Sequence, residues 1–311
     1  MKTKPKMPHG SEEWLRMRWR DKDGRCVFGA SDAAPLMGES DWTTRSDLWM
    51  DKVHEPTVQP SNPVFERGNA LEPALGTWAG QQLGLQLFTP DVVYLRDRFA
   101  VSLDFVDDNE PTLVVEAKTT TRHRVATATD LPREWLWQGH AQLFVTGAPV
   151  FFAVLDKDMS LSLNEMPIFD GWLDLLSEES ERFGQMVDDG LIDTDIIEGF
   201  TLEHLAEIYP ANPGSVIDIG VLEDVLKELR EVQALKKQAE EREKELKTEV
   251  ARELGEYETG TIDGLEVVTW KLQKGRQSFD ATSFKATHPD IHAQFMKTGS
   301  PFRVMRLKGE K

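Results

Sequence analysis

The chain has 311 residues, 40% of them hydrophobic, with a formal net charge of −18, enough for one large domain with an appendage or two modest ones. Its one cysteine, Cys26, excludes an intrachain disulfide and any cysteine-built zinc or iron–sulfur centre. The basic opening segment lacks the apolar run of a signal peptide and no stretch approaches the roughly 18 apolar residues of a membrane span, so a soluble, cytoplasmic chain with no membrane partner is expected.

The negative charge is uneven. Residues 151–210 hold 15 acidic and 2 basic side chains, residues 1–150 hold 21 and 17, and residues 260–311 hold 5 and 9. A nucleic-acid binder should offer a basic footprint, so the overall sign argues against that class. The excess lies outside the first half, however, which leaves that half open to such a role.

In chain order, residues 11–20 read as a helix capped by Ser11, with Glu12 and Glu13 in its first turn and Trp14, Met17 and Arg18 near one face. Residues 27–34 enter a second helix that Ser31 or Asp32 would cap, where backbone N–H groups could also meet a phosphate. Residues 39–63 form a peripheral connector with a helix around 45–52 and a proline-rich end. Residues 64–83 carry Ala70, Leu71, Ala74, Leu75, Trp78 and Ala79 at helical spacing, and Pro73, next to Glu72, suggests a kink or a helix start.

Strands are expected at 86–88, 92–96 and 99–106, then a hairpin to 112–118 closed by Asp107–Pro111. Asp104 falls on the first arm of that hairpin. On the second arm, alternation sends Glu116 and Lys118 to one face and Ala117 to the other. Two acids and a lysine at the end of an apolar strand suit a metal-and-water site, because carboxylate oxygens hold Mg²⁺ and an ammonium can orient a water. Residues 119–134 are a charged loop in which Arg122 could touch phosphate. His123 there invites a general-base role, but a plain charged loop explains it. A helix over 133–145 carries Gln138 and Gln142 one turn apart on one face, and the strand 150–155 completes the sheet.

Residues 165–208 read as acidic amphipathic helices whose acids form a solvated face; repulsion of DNA or docking of a basic partner are the alternatives. Tyr209–Ser215 is a boundary. Residues 221–258 form one long helix or a helical hairpin, with an antiparallel arm packing on itself or on the first domain preferred because the apolar seam lapses at Lys236 and Glu243. A hairpin over 260–273 turns at Asp263-Gly264, followed by a helix near 281–297 and a last strand over 302–307 in a basic block that could add DNA or partner contacts. The domain expectation is 1–208, then a linker and arm over 209–258, then a small α+β block over 259–311.

Asp104 followed by Glu116-Ala117-Lys118 resembles the signature of the PD-(D/E)xK nucleases. The flanks sharpen this: Glu12-Glu13-Trp14-Leu15-Arg16-Met17-Arg18, then Phe28-Gly29-Ala30-Ser31-Asp32, then Arg67-Gly68-Asn69-Ala70-Leu71-Glu72, and downstream Trp137-Gln138-Gly139-His140-Ala141-Gln142. In that order the blocks, over about residues 11–156, resemble the YqaJ-type viral recombinases, relatives of the phage lambda exonuclease. The resemblance implies an α/β restriction-endonuclease-like fold, a mixed central sheet flanked by helices. It implies an Mg²⁺-dependent exodeoxyribonuclease, with Mn²⁺ as a substitute, that degrades double-stranded DNA from 5′ ends and leaves 3′ single strands for a strand-annealing partner in phage-type recombination. It further implies metal ligation by Asp104, Glu116 and the Ala117 carbonyl, with Lys118 orienting water and Glu72 supporting the metal or its waters. Gln138 would position the scissile phosphate, Arg18 would hold the terminal phosphate, and relatives form trimeric rings. His140 stands where the family often has a second glutamine. An endonuclease or 3′–5′ exonuclease on the same fold, and a catalytically inert acidic interaction protein, are the alternatives.

Overall fold

The computed structural model describes residues 2–8, 10–58, 62–209, 211–297 and 303–308. The chain divides into two compact units, Met1–Leu205 and Ala206–Lys311.

The first unit opens with strand β1 (Lys2–Pro5) and helices α1 (Glu12–Met17), α2 (Ala33–Leu36), α3 (Arg45–Val53) and α4 (Pro63–Leu83). Strands β2 (Val92–Arg96), β3 (Phe99–Val101), β4 (Phe105–Val106) and β5 (Val114–Thr119) follow, then α5 (Arg133–Thr146), β6 (Val150–Leu155) and β7 (Leu161–Glu165). Helices α6 (Trp172–Asp188), α7 (Thr194–Glu198) and α8 (Leu202–Ile208) come next.

Two sheets form. One is antiparallel, β1-β2-β3; the other is mixed, β4-β5-β6-β7, with β5 and β6 parallel and both outer pairs antiparallel. The expected strand 99–106 is therefore two strands in different sheets, because the chain leaves extended geometry at Ser102–Asp104. Residues 86–88 contribute only a bridge from Phe88 to Val106. The strand β6 does not end the sheet: β7 pairs along its free edge, a strand that the acidic reading of this region passed over. The basic opening segment forms β1, which pairs with β2 from Lys2↔Leu95 to Pro5↔Val92.

The parallel β5–β6 pair is covered on both faces, as its apolar run requires. On one face Val115 and Ala153 pack with Phe105 and with Leu75 and Ala79 of α4. Gly76 permits this approach, since a Cβ there would lie 2.3 Å from the Phe105 ring. Helix α4 runs from an Asn62 cap straight through Pro73, neither starting nor breaking there. Burial of the next turn on the sheet outweighs the roughly 3 kcal/mol that an interior proline costs. On the other face lies α5, closed by Gly147 at φ 76°, the left-handed cap that glycine takes without strain.

The acids of 165–208 are not only a solvated face. Glu181 and Asp188 of α6 bind Arg98, whose side chain is 2% exposed, at 2.9 and 2.7 Å, and Glu179 pairs with Arg45 and Arg182. Arg98 would otherwise be a buried unpaired charge. The helix expected over 11–20 stops at Met17, with Ser11 capping it as expected.

The second unit holds α9 (Glu223–Leu254), the hairpin β8 (Thr259–Ile262) and β9 (Leu265–Thr269), and helices α10 (Ala281–Thr287) and α11 (Pro289–Gln294). Helix α9 runs 32 residues without a turn, so of the two expected forms it is the one long helix and does not fold back on itself. No glycine or proline interrupts 223–254, and i,i+4 pairs such as Glu243–Lys247 line it. The hairpin turns at Asp263 and Gly264, both at positive φ, as Asp-Gly predicts. The helix expected over 281–297 is two short helices, since Pro289 cannot continue the first and instead starts the second. Residues 303–308 form no strand; Phe302, and Pro210 in the expected boundary, lie outside the described residues, as do 59–61 of the connector. Among the described residues no helix is long and apolar enough to cross a membrane.

Candidate active site

The centre of the site is where β5 leaves the sheet. Alternation puts Val115 and Ala117 on the α4 side and Glu116 and Lys118 on the α5 side, as the pattern requires. Asp104 is not on a strand; it lies in the bend just before β4. The β4–β5 register, Phe105↔Val115 and Val106↔Val114, would next bring Asp104 opposite Glu116. Instead of continuing the backbone ladder, the Asp104 carboxylate accepts the Ala117 N–H at 2.9 Å. That bond holds the acid beside the strand end.

Glu116 is 4% exposed and fully engaged. Oε1 accepts from Gln138 Nε2 at 2.5 Å and faces Lys118 Nζ at 2.8 Å, while Oε2 accepts from Gln142 Nε2. Lys118 Nζ also donates to Gln138 Oε1 at 2.8 Å, closing a ring of three side chains. Gln138 and Gln142 sit one turn apart on α5 and both reach the same carboxylate. Gln142 is wholly buried and its Oε1 has no hydrogen-bond partner. The Lys118 ammonium lies 6.0 Å from the Trp135 ring centroid.

The electrostatics follow from this crowding. Burial, then the charges of Glu116 and Glu72, push the Asp104 carboxyl well above the ordinary carboxylate range. Burial and then Glu116 raise Glu72 as well, with Lys6 and Lys118 opposing. For Lys118, burial disfavours the charge, but Glu116 and Asp104 outweigh it and hold the ammonium above its usual range. Glu72, on α4, is thus an electrostatic neighbour of the centre. Lys6, which no sequence pattern singled out, is another: its Nζ lies 3.5 Å from the Leu103 carbonyl, next to Asp104.

Arg18 and Ser31 meet elsewhere in this unit, Arg18 Nη2 donating to Ser31 Oγ at 2.8 Å. Neither Ser31 nor Asp32 caps a helix in the expected way. Gly29 begins the helical turn, and the Asp32 side chain reaches back to accept the Gly29 N–H at 2.8 Å. Arg122 is exposed, with its guanidinium 4.0 Å from the centroid of the Trp42 ring. His123 lies in the irregular segment after β5 and its ring packs edge-on against Trp135. His140 is buried among Trp137, Phe169 and Trp172, with Nδ1 on the Leu136 carbonyl.

Fold and site define a mixed-sheet α/β domain in which two carboxylates, a lysine and two amides converge at one strand end. Residues 13–149 match the model of the YqaJ-like viral recombinase domain, the family that the order of the motif blocks resembles. Among solved structures the chain is similar to an alkaline exonuclease from Laribacter hongkongensis, with 18% identity and a TM-score of 0.46, covering 64% of this chain and 99% of that one. The same protein in complex with dAMP gives 20% identity, a TM-score of 0.47, and 64% and 97% coverage. A phage related exonuclease from Haemophilus somnus 129PT gives 11% identity, a TM-score of 0.42, and 53% and 95% coverage. Comparison with curated proteins gives no match.

Proposed function

We propose that the chain is a divalent-cation-dependent exodeoxyribonuclease that degrades double-stranded DNA from 5′ ends. The observation that carries this reading is the convergence of Asp104, Glu116 and Lys118 at the end of β5, under the amides of Gln138 and Gln142. The match of residues 13–149 to the YqaJ-like viral recombinase domain supports a substrate of DNA.

Among the described residues no three His, Cys, Asp or Glu side chains form a metal-holding group by themselves. The residues nevertheless fit a hard divalent cation, because Asp104, Glu116 and the Ala117 carbonyl offer only oxygen donors. The raised Asp104 carboxyl marks negative charge in want of a cation. Glu72 would support the ion or its waters, and Mg²⁺, with Mn²⁺ as a substitute, suits such a site. When bound, the ion would polarise the scissile phosphate and acidify a water.

The chain's own residues do the rest. Lys118, charged at neutral pH and anchored by Glu116 and Gln138, orients the attacking water and stabilises the charge that develops on the phosphate. Gln138 has its amide fixed between Lys118 and Glu116 and positions the phosphate. Gln142 holds the second Glu116 oxygen from the buried side. Arg18 and Ser31 would hold the 5′-terminal phosphate, since a guanidinium fork suits phosphate oxygens, and Arg122 would touch the DNA backbone. The 3′ strand left behind would pass to a strand-annealing protein, and assembly into a ring around the duplex belongs to the same reading.

The test is digestion of linear duplex DNA with labelled ends, beside a closed circle, in Mg²⁺ or EDTA. Loss of linear DNA alone, from its 5′ ends and only with the cation, is expected. Cutting of the circle identifies an endonuclease, and no cleavage of either by folded protein sinks the enzymatic reading.

A further inference from the structure

The Arg18 cluster contains an acid that should weaken it as a phosphate site, and a buried lysine that answers it. The Arg18 guanidinium lies 4.5 Å from the centroid of the Trp14 ring and against the Gly29 backbone, where a Cβ would stand 2.0 Å from Nη2. The same nitrogen that donates to Ser31 sits 3.8 Å from Asp32 Oδ1, too far for a hydrogen bond. Asp32 Oδ2 is turned the other way. It accepts from Lys52 Nζ at 2.7 Å and from the Gly29 N–H. Lys52 comes from α3, is 6% exposed, and also donates to the Arg18 carbonyl at 2.9 Å. Asp51, the residue before Lys52, is exposed by side-chain area, yet burial and then the charge of Asp32 raise its carboxyl, with Lys52 opposing.

We infer that Lys52 is a positioning residue for the Arg18 anion site: by taking up the charge of Asp32, it leaves the guanidinium free to bind a terminal phosphate. The inference rests on the reading of Arg18 as the 5′-phosphate holder. Its logic is one of sign. Arg18 and Lys52 against Asp32 leave one net positive charge. Without Lys52, Asp32 is the nearest partner for Arg18 and the cluster is neutral. The buried setting makes these charges count, because water screens them poorly. Asp32 in turn cannot simply be absent, since it also ties the Gly29 N–H and so the turn that carries Ser31.

The experiment measures Kd in EDTA, without turnover, for a duplex with one open end bearing either a 5′ phosphate or a 5′ hydroxyl. The readout is the ratio of the two affinities, with a melting curve for each variant. Lys52→Met should lower the wild-type preference on the order of tenfold. Asp32→Asn, which keeps an acceptor for the Gly29 N–H, should raise it by a similar factor. The double variant Asp32→Asn/Lys52→Met should return to within about threefold of wild type, and Lys52→Arg should stay there. A structural role alone changes both affinities together and does not produce this order. An unchanged ratio in Lys52→Met overturns the inference while leaving the nuclease reading in place. If Lys52→Met fails to fold, Asp32→Asn decides: no gain in preference overturns the inference. No 5′-phosphate preference in the wild type, or one that survives Arg18→Ala, overturns both the inference and the role given to Arg18.

Discussion

Replacing Lys118 with methionine keeps an apolar stem beside Trp135 and removes one charge from the centre of the acid cluster. At 2.8 Å from Glu116 Oε1, and with an effective dielectric constant of about 20, the pair attracts by about 6 kcal/mol before desolvation is subtracted. Removing the ammonium alone leaves the buried Glu116 carboxylate without its cation, so folding stability should fall by about 3–5 kcal/mol. Turnover should fall as well. Lys118 is the one ammonium that hydrogen-bonds both Glu116 and Gln138 among the described residues, so the developing charge loses its nearest stabiliser. Loss of one such group typically costs about 10²–10³ in rate. Asp104, already raised, would also hold its proton to higher pH once Lys118 no longer opposes its neighbours. The assay is single-turnover degradation of end-labelled linear duplex in Mg²⁺, paired with DNA binding in EDTA. The expected result is a rate down by at least about 100-fold with Kd within about threefold of wild type. A rate within about fivefold of wild type, or a loss of binding that accounts for the lost rate, refutes the role assigned to Lys118.

Three further outcomes are expected. Gln142→Leu strips a buried donor from Glu116 and should cost about 1–3 kcal/mol in urea unfolding, with turnover falling more than in an equally destabilised variant outside the site. Arg98→Met leaves Asp188 and Glu181 without their cation; because Glu181 is 57% exposed, the loss should be about 2–4 kcal/mol rather than that of a fully buried pair, and an unchanged unfolding midpoint would contradict it. Burial holds the His140 imidazole below its ordinary value of 6.5, so the unfolded chain binds this proton first. The stability it contributes is full above pH 6.5 and is lost as pH falls through the depressed folded value, so melting curves from pH 8 to 5 should show a steeper fall for wild type than for His140→Phe.

Much of the site could be read along the chain. Glu116, Ala117 and Lys118 follow an apolar run, and the period of a strand alone assigns the two charged residues to one face. The spacing of Gln138 and Gln142 likewise assigns both to one side of α5. The pattern could not show that the two amides take opposite oxygens of one carboxylate, because that depends on where α5 crosses the sheet. Asp104 was found by its neighbours but given the wrong backbone. Between Val101 and Phe105 the chain passes from one sheet to the other, and the alternation of apolar residues does not register the change.

Local signals also specified the Ser11 cap, the Asp263-Gly264 turn and the uninterrupted α9, whose Glu- and Lys-rich run contains nothing to break it. Lys6, Lys52 and Arg98 are different. Each stands in a stretch that reads as an ordinary charged surface; Lys52 and Arg98 are buried against acids far away in sequence, Asp32 for Lys52 and Glu181 and Asp188 for Arg98, while Lys6 is half-buried with its Nζ on the Leu103 carbonyl. Motif order, the local elements and the chemistry of the strand end depend on near neighbours and on backbone period, and so are legible along the chain. Which charges are buried, which acid each cation meets and which edge of the sheet is covered follow from the fold in space, because electrostatic pairing acts through space and leaves no period in the chain.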